Sequence, residues 1–357
     1  MPDTQHTAPS VTANAASVRT LERVTLEQFR DDVLPHGQPV LMKGFVSHWP
    51  AVQAGRGRPA DTIAYLKRFD AGRPVETIYG APDIAGKYFY NDDLSGLNFE
   101  RHPAPISASL DRLAESLALA APPSTYIQSV PTPPNLPGFA EDNVIGVLPP
   151  VIEPRIWIGN ALTVQTHFDL SENIACVVAG RRRFTLFPPE QTPNLYVGPF
   201  ELTLAGPPVS MVRLEAPDYA TYPKFQEAER HAQVAELEPG DALYIPYFWW
   251  HHVQSLEAFN VLVNYWWNDA RRDLATPFDA LLHAIIALRD LPENQRAAWQ
   301  MMFDHYVFQE SGDPVAHLPE RARGALGPHT PQMRHQLKAT LAQSLAQQAG
   351  LIPKQTR

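Results

Sequence analysis

The run from Arg155 to Trp267 constrains this chain more than any other part of it. Segments rich in β-branched and aromatic residues recur there, at 156–158, 173–179, 183–187, 242–245 and 258–267. Proline and glycine separate them, and the chain as a whole carries 36 prolines and 19 glycines. Proline cannot donate to a strand ladder and interrupts helices, so such a stretch folds as many short strands joined by turns. The expectation is a mainly β barrel. Ahead of it, a capping-box pattern predicts a short helix over 25–33, residues 39–43 read as a strand, Trp49-Pro50 as a loop, and 106–119 as a helix. Past Trp267 the β-branched residues thin out. Helical spacing takes over at 278–288, 293–308 and 332–348. With 357 residues, the expected division is a disordered polar lead over 1–17, a barrel over 18–270 and an α-helical region over 271–357.

Charge and cysteine content narrow the partners. The formal net charge of −9 leaves no basic footprint for nucleic acid, so none is expected as a partner. The single cysteine, Cys176, rules out an internal disulfide and fits a reducing, cytoplasmic setting. Its apolar neighbours read as a buried, inert thiol. No apolar run reaches the roughly 20 residues that span a bilayer, so no membrane association is expected. The lead has neither the basic nor the apolar region of a signal peptide. In the helical region, Leu281, Leu282, Ile285, Ile286, Met301 and Met302 can pack on the barrel or face a second copy as a homodimer.

The chemistry lies in Thr166-His167-Phe168-Asp169 and, far downstream, Trp249-Trp250-His251-His252. His167 and Asp169 are two apart, so on a strand their side chains leave one face together. A second histidine ends the segment introduced by the Pro239-Gly240 turn. Two imidazoles and a carboxylate suit a redox-active iron with open positions, although such a triplet also arises by chance. Gly180 marks a hairpin turn, after which alternation places Arg182 with Phe184 and Leu186. A guanidinium there is costly unless it meets an anion. A solvated basic edge is the other reading, and the one preferred for Arg181 and Arg183. Asn173 and Asn264 are amides within apolar strands and need partners or a ligand.

His167-Phe-Asp169, the segments 180–189 and 217–225, and Pro239-Gly-Asp-Ala-Leu-Tyr-Ile-Pro followed by Trp249-Trp-His251 together resemble the JmjC/cupin-like iron(II), 2-oxoglutarate-dependent oxygenases. Within that family the likeness is nearest to the asparaginyl hydroxylase that inhibits hypoxia-inducible factor and to bacterial cupin-like relatives. The resemblance begins near Pro39 and implies a double-stranded β-helix core, the jelly-roll of cupins, followed by α-helices. It implies His167, Asp169 and His251 as iron ligands. Arg182, standing where the family usually has lysine, and Tyr126 would hold the far carboxylate of 2-oxoglutarate, with Asn173 and Asn264 near the co-substrate. Tyr90, Gln128 and Trp250 would lie at the substrate mouth. The implied activity is a dioxygenase that consumes 2-oxoglutarate and O₂, releases succinate and CO₂, and hydroxylates a protein side chain or a small molecule. A metal-binding cupin without oxygenase activity is the alternative.

Overall fold

The computed structural model describes residues 15–204, 206–270 and 274–353. Its strands are β1 (Ala16–Ser17), β2 (Arg19–Glu22), β3 (Val40–Lys43), β4 (Pro74–Gly80), β5 (Glu100–Pro105), β6 (Ser124–Pro131), β7 (Pro154–Gly159), β8 (Leu162–Phe168), β9 (Glu172–Ala179), β10 (Arg182–Phe187), β11 (Gln233–Leu237), β12 (Ala242–Ile245), β13 (Trp250–Ser255) and β14 (Asn260–Trp267). A five-stranded sheet has the order β1-β11-β10-β13-β8. A nine-stranded sheet has the order β2-β3-β12-β9-β14-β7-β6-β4-β5. From β7 to β14 the chain changes sheet at every connection except β10 to β11, which is the winding of a jelly roll. The mainly β, cupin-like core read from the sequence is therefore present, with helices added around it.

Strand alternation explains where the core sits. On β9, Ile174, Cys176 and Val178 pack with Val261 and Val263 on the outer face of the large sheet. Helices Pro50–Gly55, Pro59–Lys67 and Ile106–Ser116 supply Val52, Leu66 and Leu110 to the same cluster. Ala175 and Val177 face the other way, toward Phe184, Leu186 and Val253 inside the barrel. A strand apolar on both faces reads as a continuous hydrophobic run, and β9 does. Burial within this core pushes the Cys176 thiol well above its usual range, in keeping with an inert role.

Several local expectations change. Gly180 does not close a hairpin: with φ +72° it carries the chain from β9 in one sheet to β10 in the other. An added Cβ there would lie 2.7 Å from the Phe259 carbonyl oxygen. Trp49-Pro50 is no loop; Pro50 opens a helix at its first turn, where its missing N–H costs nothing. The Thr25 side chain caps its helix by accepting from the Gln28 N–H at 3.1 Å. That helix then runs through a π-helical segment, Phe29–Val33, and ends at His36 rather than Val33. Residues 1–14 of the expected lead lie outside the described residues, whereas Ala16–Ser17 pair in parallel with Gln233–Val234.

The Pro239-Gly240-Asp241 turn proves architectural. Buried Asp241 accepts from the N–H groups of Gly44 (2.9 Å) and Glu238 (3.0 Å) and pairs with Lys43. It thereby ties β12 to the strand that precedes it in the sheet.

A second compact unit begins at Asp269. Its helices Pro277–Leu288, Glu293–Tyr306 and Pro331–Gln348 contain no buried residue. Ile286 is 74% exposed and Phe308 66%. Large apolar side chains exposed together in this way suit a surface that meets a partner.

Candidate metal centre and its cavity

His167 and His251 face each other in register on the neighbouring strands β8 and β13. Their ring centroids are 4.3 Å apart. Asp169 follows the end of β8, and one donor atom from each of the three residues lies within 4.8 Å of the others. Each histidine turns its Nδ1 to a carbonyl two residues back: Gln165 for His167 at 2.8 Å, Trp249 for His251 at 3.0 Å. A carbonyl only accepts, so both Nδ1 atoms carry the proton and both Nε2 lone pairs are left for a ligand. Burial, reinforced by the His251 ring, pushes His167 down to about 4, which keeps it neutral and ready to bind a metal at pH 7.

The carboxylate is held as deliberately. Asp169 Oδ2 accepts from Trp266 Nε1 at 3.1 Å and lies 3.6 Å from His251 Nε2. The Phe248 N–H donates to the Asp169 carbonyl at 3.0 Å, and Phe248 sits at φ +67°. Such a conformation is strained for an aromatic residue and persists where packing enforces it. Here the Phe248 ring stacks on Phe168 at 4.3 Å, which fixes the approach of the Trp249–His251 segment.

Beside the triad lies a cavity of about 570 Å³, its open mouth included, which Trp157, Val164, Phe184 and Leu262 help to line. Arg182, Tyr126, Asn173, Asn264 and Gln128 all line it too, so the structure brings these expected residues together around the triad. Arg182 is 1% exposed, and its Nε and Nη2 have no partner among the described residues. The Tyr126 phenol lines the cavity with Arg182, and burial pushes it up to about 12, so it stays protonated. By contrast, Arg181 and Arg183 pair at the surface with Glu257 (2.7 Å) and Glu236 (2.6 Å). The amides are chained: Trp157 Nε1 donates to Asn264 Oδ1 at 2.7 Å, and Asn264 Nδ2 to Asn173 Oδ1 at 3.3 Å.

Two expected mouth residues lie elsewhere. Trp250 precedes His251 on β13, so alternation turns it to the opposite face. There its Nε1 donates to Thr192 Oγ1 at 2.9 Å and its ring packs edge-on against Phe168. Tyr90 is buried among Tyr88, Leu162 and Val209, with its hydroxyl donating to the Leu202 carbonyl at 3.0 Å. Neither lines the cavity. Sequence reasoning missed Trp266 and Trp157. Trp266 was within reach, because it stands two residues from Asn264 and so shares its face of β14.

A family model for the cupin-like domain matches residues 26–273. The chain is similar to Jumonji C domain-containing protein 5 of Drosophila melanogaster, 28% identical over 262 residues, covering 72% of this chain and 61% of that one. It is likewise similar to tRNA wybutosine-synthesizing protein 5 of Gallus gallus, 28% identical over 274 residues, with 71% and 77% covered. The Arabidopsis thaliana lysine-specific demethylase JMJ31 is 38% identical over 114 residues, but these cover only 32% of this chain and 20% of that protein. The chain thus spans less than two thirds of the fly protein's length. With that match over most of its β unit and with Jumonji C relatives, the chain belongs to the cupin-like domain family.

Proposed function

We propose that the protein is an iron(II)- and 2-oxoglutarate-dependent dioxygenase that hydroxylates a protein side chain or a small molecule. One observation carries this reading: a buried guanidinium with two unpartnered donors opens onto the same cavity as the His167/Asp169/His251 triad. A buried cation without a counter-charge costs several kcal/mol, so the cavity suits an anion that is present during function. A dicarboxylate meets both demands, with one end at the metal and the other on Arg182 and Tyr126. A cupin that only stored a metal has no need of that clamp.

His167, Asp169 and His251 would hold the iron(II) and leave open positions on it. When bound, iron(II) with 2-oxoglutarate and O₂ supplies the oxidation, giving succinate, CO₂ and a hydroxylated C–H position. The chain's own work is positional. The carbonyls of Gln165 and Trp249 set the imidazole tautomers, and Trp266 holds one carboxylate oxygen.

Anaerobic titration of the metal-free protein with iron(II), then 2-oxoglutarate, is expected to develop the weak visible charge-transfer band of a chelated keto acid. Bound iron without that band would favour the non-oxygenase cupin. The chicken relative's name puts tRNA among the substrates to assay, although the net charge of −9 gives no overall basic footprint.

The helical unit supports a second part of the proposal, a homodimer formed through it. These helices keep large apolar side chains exposed, and a matching pair of such faces is the simplest covering. Light scattering is expected to give twice the chain mass, and Ile286→Glu with Phe308→Glu to halve it. A wild-type monomer would refute the dimer.

A further inference from the structure

The mouth of the cavity holds a device that the metal reading leaves unused. Between Ile127 and Val130 the pairing of β6 with β7 shifts, so Gln128 and Ser129 together oppose the single residue Trp157. This is a β-bulge, a feature that re-aims side chains beside binding sites. Ser129 takes φ +52° within it, a left-handed conformation that a serine adopts only when something holds it.

Arg155 holds it. Its Nε donates to Ser129 Oγ at 2.7 Å and its Nη2 to the Ser129 carbonyl at 2.6 Å. The same guanidinium lies 5.7 Å from the centre of the Trp266 ring, and Trp266 in turn donates to Asp169. Register explains the meeting: Arg155 on β7 is paired with Asn264 on β14 and with Pro131 on β6. One side chain therefore touches the bulge that carries Gln128 and the indole that orients a triad carboxylate.

We propose that Arg155 is a positioning residue, a clamp that sets the Gln128 bulge and the Trp266–Asp169 hydrogen bond together. The fork geometry matters as much as the charge, because two donors in one plane grip two acceptors of one residue. The inference deepens the reading of the triad as a metal site and rests on it for its metal readout alone.

The test uses the full chain with nitrogen-15 in its tryptophan indoles, the Trp266 signal being assigned through Trp266→Phe. In metal-free Arg155→Ala, the Trp266 indole N–H is expected to shift and to exchange faster with water. The Trp49 indole, which donates to the Val144 carbonyl at 2.8 Å, should stay in place and report an intact fold. Cobalt(II) titration should show roughly tenfold weaker binding, the usual consequence of losing an outer support of a metal ligand. Arg155→Lys keeps the charge without the fork and should behave like the alanine variant. Ser129→Gly suits the left-handed backbone, keeps the carbonyl acceptor and should move the Trp266 signal less. An unmoved Trp266 signal in Arg155→Ala, or full rescue by lysine, overturns the clamp. Failure of the wild type to take up cobalt(II) would instead remove the metal reading, and the indole signal would still decide the clamp.

Discussion

Asp169→Asn is expected to abolish tight iron(II) binding and iron-dependent turnover while the protein stays folded. The substitution is nearly isosteric, and its amide oxygen can still accept from Trp266 Nε1, which Asp169 Oδ2 now does at 3.1 Å. What disappears is the negative charge that a divalent ion needs beside two neutral imidazoles. Loss of an outer-shell partner already costs roughly 10- to 100-fold in metal affinity, so loss of a direct ligand should exceed that. His167→Ala should fail equally, leaving the Gln165 carbonyl to a water. Iron binding followed by equilibrium dialysis and succinate release are the measurements. Full retention of either in Asp169→Asn or His167→Ala would refute the proposed centre. A merely structural triad would behave differently, since asparagine preserves the packing and the indole hydrogen bond.

The His167–Asp169 pair was legible because its logic is local, whereas His251 entered through the family resemblance. His167 and Asp169 are two residues apart on one strand, and strand period alone puts them on one side. Arg182 was legible for the same reason, as a charge interleaved with Phe184 and Leu186. Trp250 failed by that very rule: it was placed with His251, although neighbours on a strand point apart. The Gly180 turn was misread because a tight turn between two strands suggests a hairpin, while the jelly roll sends β9 and β10 to different sheets. No pattern in the sequence signals that. The Arg155 grip lay beyond reach altogether, since it depends on a register shift that lets residue 129 meet residue 155. Cross-strand register is set by the whole sheet and leaves no mark on either segment alone.

Arg182→Met is expected to make the metal-free protein more stable and to ruin its use of 2-oxoglutarate. In the absence of an anion, Arg182 is an ionised group 1% exposed with two unsatisfied donors. Burial also works against its charged form, drawing its pKa down from the ordinary arginine range. Replacing a poorly compensated buried charge by an apolar chain of similar length is neutral to stabilising, by about 1–4 kcal/mol in known cases. In a β unit of this size each kcal/mol raises the melting midpoint by about 2–4 °C. Methionine cannot clamp a carboxylate, however. Truncating one partner of a buried, hydrogen-bonded charge pair costs about 2–5 kcal/mol, a rise of roughly 30-fold or more in the KM for 2-oxoglutarate. Iron(II) affinity should hardly change, because Arg182 supplies no ligand atom to the triad. Arg182→Lys, which restores the charge without the fork, should recover part of the KM and lose the gain in stability. Opposite signs for stability and co-substrate binding are what distinguish a functional clamp from a structural ion. A variant that lost both would show Arg182 to be part of the scaffold, and one that kept its KM would move the carboxylate site elsewhere in the cavity.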